Sequence, residues 1–354
     1  MTWLTWRQFR WQAWSALGIL ALSWLLLGTT GGRLAHLYTS SGLPGCAAAR
    51  TVAACSGPQS VFFDAVKADG VDPLLFFVGM ALLYLTPALI GMFWAAPLVA
   101  RETEAGTLRL AWTQSVTRTR WLAVRAGLVG AAALLLEGLL SLAVSWWAAP
   151  IDRADALPGQ ATGGALPDRF MPLVFGARDL APLGCAAFAF ALGLCLGILL
   201  RRTVPAMAVT LGLLIAVQVL VPMVLRADYA TPLRTTTALV MAPNSPSQIR
   251  IDGSSMEVSI PVTVPGAWVT STATVDPAGH PFTGPVPAGC ASATSTPADC
   301  DAAINALHLR QQVQYQPASR FWPFQWTETA LYLLLALALT AAAFLRIRRT
   351  GPSS

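Results

Sequence analysis

Six apolar runs constrain this sequence more than any other feature. They lie at 13–30, 74–98, 122–147, 180–200, 204–225 and 326–345. Each is near the length of about 20 residues that a helix needs to cross a bilayer, and in lipid only helices or closed barrels satisfy the backbone. Hydrophobic residues make up 55% of the chain and charged residues 11%, too little polar cover for a water-soluble globule. We therefore expect an all-α polytopic membrane protein with six transmembrane helices.

Basic residues indicate the orientation of these helices. An even number of crossings places both termini on one side, and about half of the 23 basic residues lie in short segments on that side. They are Arg7, Arg10, Arg101, Arg109, Arg118, Arg120, Arg125, Arg201, Arg202, Arg346, Arg348 and Arg349. Because Lys and Arg are retained on the cytoplasmic face, we expect a multi-pass protein of the cell membrane with both termini cytoplasmic. A cleaved signal peptide over the first run is the alternative.

The segments outside the runs suggest three parts. Residues 1–225 would hold an N-terminal interfacial helix and transmembrane helices one to five, residues 226–325 a small extracytoplasmic α+β domain, and residues 326–354 helix six and a cytoplasmic tail. Residues 2–14 place Trp and Arg on one arc, which is typical of an interfacial helix. A frayed terminus is the alternative.

Within the segment between runs five and six, two kinds of element are expected. Apolar residues alternate through EVSIPVTV, which predicts a strand with Val258, Ile260, Val262 and Val264 on one face. AWVTSTATV predicts a second strand. The stretch DCDAAINALHLRQQVQ is interpreted as a helix, with Asp299 or Asp301 as candidate N-cap.

Four cysteines fall in segments expected outside the cell: Cys46, Cys55, Cys290 and Cys300. An oxidising compartment favours disulfides, and the spacings fit local pairs better than zinc sites, although the pairing pattern stays open. Cys185 and Cys195 lie within the fourth run, where cysteine behaves as a small hydrophobe.

Polar residues within the runs are candidates for a pathway or for helix packing. Glu137 lies near the middle of the third run, and Ser141 follows on the same helix face. Gln218 lies in the fifth run. An intramembrane carboxyl faces a wet cavity or the protein interior, and small polar stripes also suit close packing. Both readings are open.

Enzyme signatures are missing from the sequence. It has no phosphate-binding loop, HExxH or GxSxG motif, and no basic patch indicates nucleic-acid binding. We expect no catalytic, cofactor-binding or metal-ligating residues. An outer active site around Asp152, Asp155 and Asp168 is the minor alternative, since loop carboxylates are usually only solvated.

The string APLVARETEAGTLRLAWTQSVTRTRWLAVRAG resembles the segment between spans two and three of bacterial type-two permeases of ATP-binding-cassette exporters. In that family an acidic pair followed by Gly-Thr marks a helix that docks on the ATPase. The resemblance implies this coupling role for Glu102, Glu104, Gly106 and Thr107.

Further expectations follow from the resemblance. A separate cytoplasmic ATPase would bind ATP and magnesium, and a second permease chain, in a homodimer, would complete the pathway within membrane lipid. The function would be export of a small amphipathic drug, lipid or peptide. The alternative is a non-transporting membrane immunity or sensor protein whose outer domain binds a ligand.

Overall fold

The computed structural model describes residues 2–106, 117–159, 166–241, 248–252, 255–260, 262, 264–291 and 296–349. Among them, six helices are long and apolar enough to cross a membrane. Spans one to six are Phe9–Ser40, Val71–Glu104, Arg118–Asp155, Ala181–Leu200, Thr203–Asp228 and Ala318–Arg349. The six predicted helices are confirmed. Thr107 and the following residues up to 116 lie outside the described part of the chain.

The first helix, Thr2–Ser40, is continuous, so the predicted interfacial segment runs without a break into span one. Its position relative to a membrane stays a prediction. Two shorter helices, Leu43–Ala49 and Val52–Asp69, connect span one to span two. The helix Pro172–Phe175 lies between spans three and four.

Spans two and five each contain a π-helical turn beside a proline. Span two consists of the helix Val71–Leu89, the π-helical turn Ile90–Ala95 and the helix Pro97–Glu104. Span five runs as Thr203–Leu220 and then as the π-helical turn Val221–Leu225. Pro97, directly after the turn of span two, and Pro222, within that of span five, have no N–H to donate to the preceding helical turn, which is a common cause of such irregularities.

Span four lies at the centre of the bundle and packs against span two through glycines. A methyl group at Gly193 would stand 2.2 Å from the carbonyl oxygen of Gly91, and one at Gly197 would stand 2.4 Å from that of Ala96. Small residues let helix backbones approach this closely. The π-helical turn of span two is therefore seated directly on span four.

A small sheet region lies between spans five and six. Its strands are β1 Leu233–Ala238, β2 Gln248–Asp252, β3 Ser255–Ser259, β4 Trp268–Val275, β5 Gly284–Pro285 and β6 Arg310–Gln316. They form two antiparallel sheets in the orders β1-β6-β4 and β2-β3-β5. The helices Ala288–Ala291 and Pro297–Asn305 complete the region. The domain limits at 226 and 325 stay a prediction.

Two sequence predictions in this region were partly wrong. β3 ends at Ser259, so the expected strand does not continue to Val264; Pro261 has no N–H for a ladder. The expected helix ends at Asn305, because Arg310–Gln316 pairs on both sides as the central strand β6.

The N-cap of that helix also differs from the prediction. It is Thr296, whose hydroxyl accepts from the backbone N–H of Asp299. Asp299 is the reciprocal partner of a capping box, since its carboxylate accepts from the backbone of Thr296. Asp301 lies inside the helix.

Candidate functional site

The end of span two is joined to span three by an ion pair. Arg125 donates to the carboxylate of Glu102, and its guanidinium lies 4.8 Å from the ring centre of Trp121. The Arg125 side chain is 7% exposed and that of Glu102 19%. A partly buried pair of this kind is held more firmly than a surface pair, because water screens it less.

Glu104 makes a second connection from the same turn. The hydroxyl of Thr203, at the start of span five, donates to the Glu104 carboxylate at 2.5 Å. Gly106 follows with φ +66°, a conformation that glycine adopts without steric cost. Three of the four residues expected to couple to an ATPase therefore lie together, and Thr107 is outside the described residues.

A groove opens beside this turn, and we call it the Trp94 groove. Its volume is about 430 Å³. The residues lining it are Phe9, Gln12, Phe93, Trp94, Pro97, Leu98, Arg101, Glu102, Ala105, Arg125 and Val129. Gln12 donates to the backbone oxygen of Phe93 at 3.1 Å, and the rings of Phe9 and Trp94 meet edge to face at 4.8 Å. The N-terminal turns of the first helix thus close one side of the groove.

Glu137 is fully buried in span three, and neither carboxylate oxygen has a hydrogen-bond partner among the described residues. Ser141, one turn further, donates to the backbone oxygen of Asp179 at 2.7 Å. Gln218 donates to the backbone oxygen of Tyr84 at 3.3 Å and to the sulfur of Cys185 at 3.5 Å. Ser141 and Gln218 thus make packing contacts, whereas Glu137 has no contact that assigns it a role.

Side chains of spans three and six hydrogen-bond to the backbone just before span four. The backbone N–H of Asp179 donates to Ser145 of span three at 3.1 Å. Gln325 of span six accepts from the backbone N–H groups of Leu180 and Ala181, at 3.2 and 2.8 Å. Burial raises the pKa of the Asp179 carboxyl, and the nearby charge of Arg178 opposes this shift.

A buried ion pair joins spans five and six near the same segment. Arg226 donates twice to Glu328, with both N–O distances 2.8 Å, and once to the backbone oxygen of Pro172 at 2.6 Å. Both side chains are almost completely buried. Sequence reasoning missed this pair, although one signal was present: Arg226 directly follows the fifth run, and Glu328 lies three residues into the sixth.

The four outer cysteines form two local pairs at disulfide distance, which resolves the pairing that the sequence left open. The Cα atoms of Cys46 and Cys55 are 4.8 Å apart, and those of Cys290 and Cys300 are 4.5 Å apart. Cys185 and Cys195 are buried and not disulfide-bonded. Each disulfide closes a short local loop outside the spans.

The three carboxylates of the alternative outer site, Asp152, Asp155 and Asp168, lie near one another, and Asp155 and Asp168 share a side-chain hydrogen bond. Asp152 lies 3.9 Å from the guanidinium of Arg178, which makes it a structural partner. No group of three or more His, Cys, Asp or Glu side chains that could hold a metal ion occurs in the described part of the chain.

The six membrane-length helices of the described residues, packed around a largely apolar interior, define a multi-pass membrane protein. Within that class, residues 17–226 match the family model described as ABC-2 membrane transporter related. Because the match covers more than half of the chain, the protein belongs to this family, and the resemblance to type-two permeases is confirmed. The family domain is a permease-type component and is not itself a catalytic ATPase. No curated protein and no solved structure matches the chain with significant similarity.

Proposed function

We propose that this chain is the membrane-spanning permease subunit of an ATP-driven exporter. A separate cytoplasmic ATPase binds ATP and magnesium, both termini of the permease are cytoplasmic, and two copies of the chain enclose the path of a small amphipathic substrate. Family membership supports the permease role. The arrangement of the turn at Glu102 and Glu104 supports the coupling role.

The observation that carries the coupling proposal is the pair of connections made by this turn. Glu102 is bonded to Arg125 of span three, and Glu104 is bonded to Thr203 at the start of span five. A force applied to the end of span two therefore acts on three spans together. In this arrangement the two glutamates transmit motion within the permease, and direct contact with the ATPase belongs to neighbouring residues of the 101–121 segment.

A charge swap separates transmission from direct docking. Glu102→Arg and Arg125→Glu each remove the ion pair, and the double variant restores it with the charges exchanged. We expect each single variant to lower substrate-stimulated ATP hydrolysis by about tenfold, which corresponds to about 1.4 kcal/mol. The double variant should recover most of the loss. Co-purification of the ATPase is measured in parallel, and Arg234→Glu, at an exposed position of strand β1, is the control.

Two results would contradict the proposal. If the double variant is as inactive as the singles and also loses the ATPase, then Glu102 contacts the ATPase and the internal connection has no role. If no ATPase co-purifies and full function survives deletion of its gene, the immunity or sensor alternative is favoured. Gly106→Pro should also uncouple ATP hydrolysis from transport, because proline cannot adopt the φ of +66° found there and the turn would change shape.

A further inference from the structure

The Trp94 groove has a polar end and an aromatic end. At the polar end lie Arg101, which is exposed, and the pair of Arg125 with Glu102. Within the described part of the chain, the guanidinium of Arg101 has no hydrogen-bond or ion-pair partner, although its backbone oxygen accepts from Ala105. Two arginines against one glutamate leave this end with a net positive charge. The volume of the whole groove, about 430 Å³, is within the usual range for small-ligand sites, about 300–1,000 Å³.

The aromatic end of the groove is open toward the outside of the helix bundle. Phe93 is 46% exposed on the outside of span two, and Trp94 and Phe9 form the wall behind it. An exposed apolar side chain on a membrane-spanning helix is suited to contact with lipid tails. A ligand in the groove can therefore place a charged group near Arg101 and extend an apolar part past Phe93 into the bilayer.

The depth of the groove in the membrane follows from the helix that closes it. Trp11, one residue before the groove-lining Gln12, is 73% exposed, and the guanidinium of Arg10 lies 5.5 Å from the centre of its ring. Exposed Trp with Arg marks the headgroup level of a bilayer. The expected headgroup position of this helix would place the polar end of the groove at the depth of the lipid phosphates.

We propose that the Trp94 groove binds one anionic phospholipid, with its phosphate at Arg101 and its acyl chains leaving past Phe93. Arg125 lies at the base of the polar end and contributes positive charge while it holds Glu102. A free phosphate would use the polar end alone. The lateral opening at Phe93 favours the lipid, because only a molecule with apolar chains uses both ends.

The test is lipid binding to the purified full-length chain in detergent, followed by native mass spectrometry. Phosphatidylglycerol and phosphatidylcholine are added at equal concentrations, and inorganic phosphate is the competitor. We expect one tightly held phosphatidylglycerol per chain, and a loss of about tenfold in its affinity in Arg101→Gln, since a hydrogen bond to a charged group is removed. Ala105→Trp, which narrows the groove mouth from an exposed position, should also release the lipid.

Arg120→Gln is the matched control, because Arg120 is exposed near the same end of the bundle but does not line the groove. It should leave the affinity unchanged. Equal binding of both lipids, an equal loss in the control, or displacement of the lipid by equimolar inorganic phosphate would each overturn the proposal. The measurement requires neither ATPase nor transport, so its outcome is independent of the proposed exporter function.

Discussion

Substitution of Glu328 by glutamine should destabilise the protein strongly, although the two side chains have almost the same shape. The carboxylate accepts two hydrogen bonds from Arg226, both at 2.8 Å, and both residues are almost fully buried. The guanidinium also lies 4.3 Å from the ring centre of Phe175. In Glu328→Gln the buried positive charge keeps its ring contact and its carbonyl partner but loses its counter-charge.

The expected cost can be worked out in two ways. Unit charges about 4 Å apart interact by about 4 kcal/mol at an effective dielectric constant of 20. Measured losses on breaking buried pairs are about 3–5 kcal/mol. Replacing both partners together, in Arg226→Met with Glu328→Met, removes the unpaired charge as well. This variant should lose only about 1–2 kcal/mol, mainly because the carbonyl of Pro172 loses its donor.

The assay is equilibrium unfolding of the purified chain in detergent micelles, with the free energy of unfolding compared among the variants. Glu257→Gln makes the same chemical change at an exposed strand position and should stay within about 0.5 kcal/mol of the parent chain. A loss below about 1 kcal/mol in Glu328→Gln would refute the reasoning. The reasoning would also be refuted if the loss in unfolding free energy of the double Met variant equalled the sum of the losses in Arg226→Met and Glu328→Met alone.

Two more predictions concern the interior of the bundle. Gly193→Ala should destabilise the protein by about 2 kcal/mol or more, because its methyl group would stand 2.2 Å from the Gly91 oxygen. Gly212→Ala, where the methyl group would have nothing within 4 Å, should be neutral or stabilising. Equal unfolding free energies for the two variants would contradict the packing argument. Glu137→Leu should raise stability by about 1–3 kcal/mol, since it removes a buried carboxyl with no partner in the described residues. A large loss in unfolding measurements would show that Glu137 has a stabilising partner.

The sequence predicted the six spans because about twenty apolar residues in lipid can adopt few other structures. It also predicted β4 and local disulfides among the four outer cysteines, because those patterns are local. Arg310–Gln316 was misassigned because its strand conformation depends on β1 and β4, which lie far away in the chain. Local pattern carries little information about such partners.

The candidate site was likewise predictable only where it depends on local sequence. The grouping of Glu102, Glu104 and Gly106 followed from a resemblance within one short segment. Their partners Arg125 and Thr203 could not be read from it, because each is many residues away and is an ordinary residue at a helix start or on a helix face. Ser141 was predicted as a pathway or packing residue, and its bond to Asp179 across 38 residues of chain appears only in three dimensions.

The connections at the two ends of the spans differ in strength, and this difference bears on how the bundle can move. At one end the pair of Arg226 and Glu328 is buried, and breaking it leaves an unpaired charge in a low dielectric. At the other end, Thr203 bonds to the exposed Glu104, and water can replace that bond at little cost. Between these ends, span two contains the π-helical turn Ile90–Ala95, a type of irregularity that accommodates shifts in helix register. The bond of Glu104 to Thr203 therefore breaks at lower cost than the pair of Arg226 and Glu328, whereas the partly buried pair of Glu102 and Arg125 keeps span two joined to span three.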